Sequence, residues 1–139
     1  EAAIGLDVIT GFPGETDAQF KTTCQLLRQL PFSHLHVFPF SNRAGTPAAK
    51  MPDQVTGAVI KERAQALRQI GTEKNQKFAE KFIGSKQDII IEGGCADDLR
   101  KGLSRHYLPV WIPASSAVPG ESLQVEITGA YQDGLIGHR

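Results

Sequence analysis

The residues of this 139-residue sequence that could support chemistry lie in short, separate stretches. The first, residues 11–15, reads Gly-Phe-Pro-Gly-Glu after the β-branched Val8 and Ile9, so a strand is predicted to end there in a tight turn. Thr16 and Gln19 form a capping box, so a helix follows. In α/β folds, ligands bind at such turns. The stretch lacks the lysine of a phosphate-binding loop, and an ordinary strand–helix turn is the favoured alternative.

A second stretch surrounds Arg43, which stands among small polar residues and a glycine in Ser41-Asn42-Arg43-Ala44-Gly45-Thr46. A guanidinium in such a loop suits an anionic ligand group. A solvated loop arginine is an equally weighted alternative. The whole connection, residues 39–55, is long enough to be functional or to wrap the surface.

A third stretch combines basic and aromatic side chains. Tyr107 and Trp111 lie an even number of residues apart, so they could share one strand face. With Arg100, Lys101 and Arg105 nearby, that face could stack bases and meet phosphates. Against this, residues 84–139 contain more Asp and Glu than Lys and Arg. Packing of the two aromatics in a core is therefore the stronger alternative.

Histidines and cysteines offer weaker signals. His34 and His36 share a strand face at a spacing that could ligate a metal, but no third ligand is evident. We therefore predict that they line a barrel interior or an interface, and we predict no metal site. Cys24 and Cys95 are far apart and match no metal spacing, and Cys24 is expected to be a small buried hydrophobe.

The elements that must position these residues begin with a βαβ unit. A helix should span residues 17–30, and a second strand should span residues 34–38, parallel to the first. A second helix, capped by Asp53 or Thr56, should continue to about Phe82. Its charged residues are expected to be mostly solvated: Lys61, Arg63, Arg68, Glu73, Lys77 and Lys81.

Beyond Gly84 the pattern becomes β-type, so we place a domain boundary near Ile83. Alternating apolar residues and turn signals at Pro119-Gly120 and Asp133-Gly134 predict a small antiparallel barrel. The predicted strands are residues 88–92, 106–112, 122–128 and 135–136. The predicted fold class is therefore α/β followed by all-β.

Composition limits the functional classes. The formal net charge is zero, so the chain as a whole is not attracted to nucleic acid or anionic lipid, although a local patch could be. No segment approaches the roughly 18 apolar residues of a membrane span, so no membrane partner is expected. The cysteine content favours a cytoplasmic location. The chain opens almost directly into a strand without an initiating Met, which predicts a fragment of a longer protein.

Several motifs in order resemble the radical S-adenosylmethionine methylthiotransferases. They are residues 11–16 (GFPGET), residues 35–41 (LHVFPFS), Arg43, residues 45–48 (GTPA) and residues 51–55 (MPDQV). The His-Val-Phe-Pro and Met-Pro-Asp-Gln-Val segments are most similar to the branch that modifies threonylcarbamoyladenosine in tRNA. The resemblance of the tail rests on Gly84, Gly120-Glu121, Ile127-Thr128 and residues 133–137.

The resemblance covers essentially the whole chain and implies a function. Residues 1–83 would be the last part of a partial (β/α) barrel, and residues 84–139 would be a TRAM domain, a small barrel that binds RNA. The parent enzyme would add a methylthio group to C2 of threonylcarbamoyladenosine next to the anticodon of tRNA. The isopentenyladenosine branch is one alternative. A non-catalytic RNA-binding module is another.

The same resemblance assigns two sites. The carboxyl ends of the strands would complete an S-adenosylmethionine site, with the cofactor-binding residues Ile9, Thr10, Gly11, Phe38, Pro39 and Arg43. The residues expected to meet tRNA are Arg100, Lys101, Arg105, Tyr107 and Trp111.

The sequence departs from the family in extent. The family's two [4Fe–4S] clusters need a Cys-x-x-x-Cys-x-x-Cys triplet and an amino-terminal domain, and this sequence contains neither. We therefore expect no catalytic residue, no bound cofactor and no activity in this chain alone, and we expect the missing amino-terminal part to be its partner. An open barrel piece also leaves strand edges and an apolar face uncovered, which predicts marginal stability or self-association through that edge.

Overall fold

The computed structural model describes residues 1–94 and 97–139, so Cys95 lies outside the described residues. The chain forms two compact units, one comprising Ile4–Lys74 and the other comprising Asn75–Arg139 with Glu1–Ala3. The division falls before the boundary near Ile83 that the sequence suggests, because Phe78 and Phe82 pack in the core of the second unit. Within the described residues, no helix is both long and apolar enough to cross a membrane.

The first unit is built on two parallel strands, as predicted. Its elements are β1 (Gly5–Thr10), α1 (Asp17–Gln29), β2 (His34–Pro39), a 3-10 turn (Pro47–Lys50) and most of α2 (Gly57–Glu80). Both bonds of the capping box are present, with Thr16 N–H donating to Gln19 Oε1 at 2.9 Å and Gln19 N–H donating to Thr16 Oγ1 at 3.3 Å. The local signals in the sequence therefore place this first helix correctly.

The core of the first unit lies on one face of its two-stranded sheet. Four strand residues on that face pack against a buried cluster: Leu6, Val8, Leu35 and Val37. The cluster comes from the two helices and the segment before β2, and consists of Cys24, Leu27, Phe32, Leu67 and Ile70. Burial raises the pKa of the Cys24 thiol, consistent with its predicted role as a small buried hydrophobe.

The second unit is a closed five-stranded barrel. Its strands are β3 (Lys86–Ile91), β4 (Leu99–Ser104), β5 (Pro109–Pro113), β6 (Ser122–Tyr131) and β7 (Gly134–His138). They close in the order β3-β4-β5-β7-β6. Alternate residues point inward, as the sequence of β6 predicts, and fill the core with aliphatic side chains: Ile89, Ile91, Val110, Ile112, Leu123, Val125, Ile127 and Leu135.

The prediction that this barrel is antiparallel is wrong for one pair of strands. β5 and β7 pair in parallel, through Val110 with Leu135 and Trp111 with Ile136. A ring in which every neighbouring pair is antiparallel needs an even number of strands, so a barrel of five strands must contain a parallel pair. Gly134 permits this closure, because a Cβ there would lie 2.2 Å from the carbonyl oxygen of Pro109.

Two further differences concern the segment before β5. The sequence predicts a strand over residues 106–112, but the strand starts at Pro109. Tyr107 instead adopts a φ of 58° in a turn. β4 is absent from the sequence prediction, because its Leu-Arg-Lys-Gly-Leu-Ser sequence lacks both β-branched residues and a clean alternation.

Candidate functional site

The turn between β1 and α1 closes on the carboxylate of Glu15. Its Oε1 accepts hydrogen bonds from Gly11 N–H at 3.0 Å and from Thr10 Oγ1 at 3.3 Å. The turn is also tied to the later loop, because Gly14 N–H donates to the carbonyl of Asp53 at 2.9 Å. The end of β1 is therefore fixed by a side chain from the start of the next element.

Arg63 holds that carboxylate in place. Its Nη1 lies 2.6 Å from Glu15 Oε1 and donates to the Glu15 carbonyl at 3.0 Å, while its Nη2 lies 2.6 Å from Asp17 Oδ1. Burial alone would lower the pKa of the guanidinium, but the hydrogen bonds to Asp17 and Glu15 outweigh it and raise that pKa. The prediction of a solvated Arg63 is wrong, since its side chain is 7% exposed. Two acidic residues so close together, Glu15 and Asp17, are the feature of the sequence that indicates a nearby cationic side chain.

The predicted cofactor residues divide into a surface and its support. Ile9 and Phe38 are partners in the strand register and are 60% and 52% exposed, on the sheet face opposite the core. Pro39, the register partner of Thr10, is also exposed. Thr10 and Gly11 are buried, and a Cβ on Gly11 would lie 2.5 Å from Ile60 Cγ1. Ile9, Phe38 and Pro39 therefore offer apolar surface, while Thr10 and Gly11 shape the turn. Their roles in binding remain predictions.

Arg43 stands apart from this surface. It is exposed in the loop after β2, where its carbonyl accepts hydrogen bonds from Thr46 Oγ1 at 2.8 Å and Thr46 N–H at 3.2 Å. Among the described residues, no contact joins its guanidinium to the other predicted cofactor residues. The structure therefore leaves the choice between an anion-binding arginine and a solvated one open.

The two histidines share the face of β2 opposite the core, as predicted, and that this face lines a barrel interior or an interface remains a prediction. His36 pairs in register with Asp7, and His34 Nδ1 lies 2.8 Å from Ser33 Oγ. No group of three or more potential metal ligands occurs among the described residues. The sheet has only two strands among those residues, so the outer edge of each is unpaired. Association through these edges remains a prediction.

In the barrel, the prediction that Tyr107 and Trp111 share a strand face is wrong. Tyr107 lies in the turn between β4 and β5 and is 70% exposed, whereas Trp111 lies within β5. The turn is organised by buried Ser104, whose Oγ accepts hydrogen bonds from His106 N–H at 3.3 Å and Leu108 N–H at 3.2 Å. Sequence reasoning missed Ser104, because a single serine carries no signal of this role.

Lys101 and Trp111 form one neighbouring pair. They are partners in the β4–β5 register, and Trp111 packs edge-on against Tyr131 with ring centroids 5.9 Å apart. Lys101 Nζ lies 3.6 Å from Glu92 Oε2. The indole Nε1 of Trp111 and the Nε of Arg100 are buried without a hydrogen-bond partner within the part of the chain that the structure describes. Trp111 is half-buried and lies outside the core formed by its neighbours Val110 and Ile112, so the alternative that it packs in the core is wrong.

Arg105 and Tyr107 form a second, separate pair at the turn. Arg105 is exposed, and its Nε donates to Nε2 of the intervening His106 at 3.4 Å. His106 itself is 6% exposed and stacks on Phe82, with ring centroids 4.5 Å apart. The five predicted RNA-binding residues therefore lie on β4, on β5 and in the turn between them, and their joint role in binding RNA remains a prediction.

Arg63→Met is expected to destabilise the first unit by about 2–4 kcal/mol, because it leaves the mostly buried Glu15 carboxylate unpaired. The ion pair of Arg63 with Asp17 contributes little to this loss, because the Asp17 side chain is 85% exposed and water screens its charge. Far-UV circular dichroism during urea unfolding measures the loss, and hydrogen exchange at the Gly11 amide should accelerate. Arg68→Met, at an exposed position of the same helix, is the matched control. Equal effects of the two substitutions would contradict the role of Arg63.

The pH dependence of barrel stability should depend on His106. Burial lowers the pKa of this imidazole, and Arg105 and the amino terminus add to the effect while Glu1 opposes it. In the unfolded chain this histidine has a pKa of about 6.5, so below that pH the unfolded state binds more protons than the folded state. The free energy of unfolding is therefore highest above a pH of about 6.5 and decreases as the pH falls below it. Fluorescence of the sole tryptophan, Trp111, follows urea unfolding at pH 7.5 and pH 5.5.

His106→Gln should reduce the difference in unfolding free energy between these two pH values. His138→Gln is the control, because His138 is exposed in the same unit. If His106→Gln kept the full pH dependence, another group would be responsible.

Comparison with known proteins identifies the family to which this chain is related. No protein-family model matches the chain. Threonylcarbamoyladenosine tRNA methylthiotransferase MtaB of Rickettsia prowazekii is 37% identical over 129 residues, which cover 93% of this chain. The tRNA-2-methylthio-N(6)-dimethylallyladenosine synthase of Thermobifida fusca is 36% identical over 144 residues, covering 98%. Ribosomal protein uS12 methylthiotransferase RimO of Citrifermentans bemidjiense is 35% identical over 144 residues, covering 99%.

The chain spans only 29–32% of the length of these relatives. The matches nevertheless extend over both compact units, since they cover 93–99% of the chain. Because all three relatives are named for methylthio chemistry, the chain belongs, across the aligned residues, to the methylthiotransferase family.

Proposed function

We propose that the chain is part of a tRNA methylthiotransferase in which the barrel binds tRNA and the first unit contributes to an S-adenosylmethionine site. The observation that carries the proposal is the alignment of nearly the whole chain with relatives named for this chemistry. The expected setting is the cytoplasm, and the expected partner is the remainder of the longer enzyme.

Within the family we favour threonylcarbamoyladenosine in tRNA as the substrate. The names of the relatives give three substrates at almost equal identity, so identity alone does not choose among them. The choice rests on the His-Val-Phe-Pro and Met-Pro-Asp-Gln-Val segments, at residues 36–39 and 51–55. Phe38 and Met51 are exposed, which suits residues that contribute to a binding surface rather than to the core. Dimethylallyladenosine in tRNA is the second candidate, because a relative of almost equal identity is named for it.

The exposed sheet face fits the adenine part of S-adenosylmethionine. Ile9 and Phe38 offer adjacent apolar side chains against which a flat ring can rest. Thr10 and Gly11 would act through the backbone, although Gly11 N–H already donates to Glu15 and the Thr10 carbonyl accepts from Phe40 N–H at 2.8 Å. When bound, the cofactor would supply the radical chemistry. The residues of this chain would orient its adenine and exclude water.

The residues of this chain do not fit an iron–sulfur cluster. The sequence contains two cysteines, and Cys24 is buried in the apolar core of the first unit. A cluster of this type is held by several thiolates placed together. Cluster ligation is therefore assigned to the remainder of the enzyme, and this chain alone should be inactive.

Disruption of the full-length gene in its host should remove one modified nucleoside from bulk tRNA. We expect loss of the 2-methylthio form of threonylcarbamoyladenosine and accumulation of the unmethylthiolated precursor, measured by mass spectrometry of digested tRNA. The 2-methylthio form of dimethylallyladenosine serves as the internal control and should persist. Loss of that nucleoside instead would identify the second candidate, and unchanged nucleosides would refute a tRNA substrate.

Binding of tRNA by the barrel is tested separately, by titration of labelled tRNA with this chain at several salt concentrations. We expect measurable binding with a shallow salt dependence, because the net charge is zero and few phosphates can be neutralised. A folded chain that binds no tRNA at low salt would refute the RNA-binding role of the barrel.

A further inference from the structure

A groove of about 450 Å³ lies on the outer surface of the barrel, along β3 and the turn that precedes β5. Its volume falls within the range typical of small-ligand sites. Nine residues line it, and the six that matter for its chemistry are Asp88, Ile90, Glu92, Leu103, Arg105 and Tyr107. It therefore contains Arg105 and Tyr107, two of the five residues predicted to meet tRNA, and neither Lys101 nor Trp111 lines it.

The groove exposes apolar and aromatic surface. Ile90 is 61% exposed on β3 and pairs in register with Leu103 of β4. Tyr107 is 70% exposed and keeps a positive φ of 58°, a conformation that costs free energy in a bulky residue. The turn therefore presents an aromatic ring to solvent at some expense in stability, beside an aliphatic floor.

Arg105 supplies the cation of the groove. Its Nε is engaged by His106, so the guanidinium plane is restrained while its two terminal nitrogens remain for a ligand. Among the described residues, no carboxylate forms an ion pair with it. An anionic group bound here would meet a pre-oriented donor pair.

The acidic residues of the groove are partly compensated by neighbours. Glu92 Oε2 lies 3.6 Å from Lys101 Nζ, and Asp88 Oδ1 accepts a hydrogen bond from Gln124 Nε2 at 3.3 Å. Because Gln124 is neutral, Asp88 and Arg105 are the two charges of the groove that form no ion pair within the described part of the chain. A flat apolar ring carrying an anionic group is the ligand chemistry that this arrangement suits.

We propose that this groove binds one unpaired nucleotide of the RNA, with the base stacked on Tyr107 and against Ile90 and the phosphate held by Arg105. The proposal rests on the proposed binding of tRNA by the barrel and adds the position of the contact and the single-stranded state of the RNA. An unpaired nucleotide is required, because a base within a duplex does not expose its face for stacking.

The stacking part is tested with the full chain and labelled hexauridylate, with an RNA duplex for comparison. Tyr107→Asn should weaken binding of hexauridylate by about tenfold or more, since Asn tolerates a positive φ but removes the ring. Tyr107→Phe should retain most of the affinity. Ile90→Ser should weaken binding several-fold, whereas Val118→Ser, a control at a 65% exposed position outside the groove, should not change it. The duplex should bind more weakly than hexauridylate.

The phosphate part is tested by Arg105→Gln, with Lys86→Gln as an exposed control on the same barrel. Loss of one phosphate contact should make the slope of log affinity against log salt shallower by about 0.7 in Arg105→Gln alone. Trp111 fluorescence during urea unfolding shows that each variant is folded. If Tyr107→Asn unfolds the barrel, Ile90→Ser and Arg105→Gln decide the outcome.

Three results would overturn the proposal in different ways. If wild-type chain binds tRNA and hexauridylate while the groove variants bind them equally well, the groove assignment is wrong and the proposed function stands. If the folded wild-type chain binds no RNA, the proposed function itself fails. If the groove variants lose affinity only for an arginine-rich peptide, the groove is a protein-binding site.

Discussion

The geometry of the first unit depends on one carboxylate, that of Glu15. It receives the Gly11 N–H, the Thr10 hydroxyl and the Arg63 guanidinium, so a strand end, a turn and the second helix meet at a single side chain. The carboxylate also lies at the start of α1, where the helix dipole favours negative charge. The exposed surface of Ile9 precedes this turn directly, so the position of that surface follows from the Glu15 contacts.

The barrel is constrained by a different requirement, the closure of an odd number of strands. Its parallel β5–β7 contact brings Gly134 close to the carbonyl of Pro109. The β6–β7 pairing brings Gly137 close to the carbonyl of Glu126, where a Cβ would lie 2.5 Å from the oxygen. Because closure leaves no free strand edge, a ligand of the barrel must use side chains on the outer surface or the connecting turns. Exposed Ile90 and Tyr107 occupy such positions.

Sequence reasoning succeeded where the determinants are local. The Thr16 capping box and the alternation in β6 follow from residues within a few positions of one another. The parallel β1–β2 pair joins more distant residues, but it follows from the order strand, helix, strand. Sequence reasoning failed where the determinants are distant or weak. Arg63 meets Glu15 across 48 positions, and β4 forms because both its neighbours supply partners. Of the candidate sites, the sequence and its resemblance name Ile9, Phe38, Arg105 and Tyr107 among the predicted binding residues. They give no sign of the support by Glu15 and Ser104.

The charge distribution limits the kind of RNA contact that is compatible with the proposed role of the barrel. With a net charge of zero, the chain as a whole is not attracted to a duplex backbone. Lys101 is paired with Glu92, so part of the basic stretch in β4 is already neutralised by the protein itself. The proposed affinity for RNA would then come from a small number of contacts in which stacking contributes as much as charge. The exposed ring of Tyr107 beside Arg105 meets that requirement without a row of lysines.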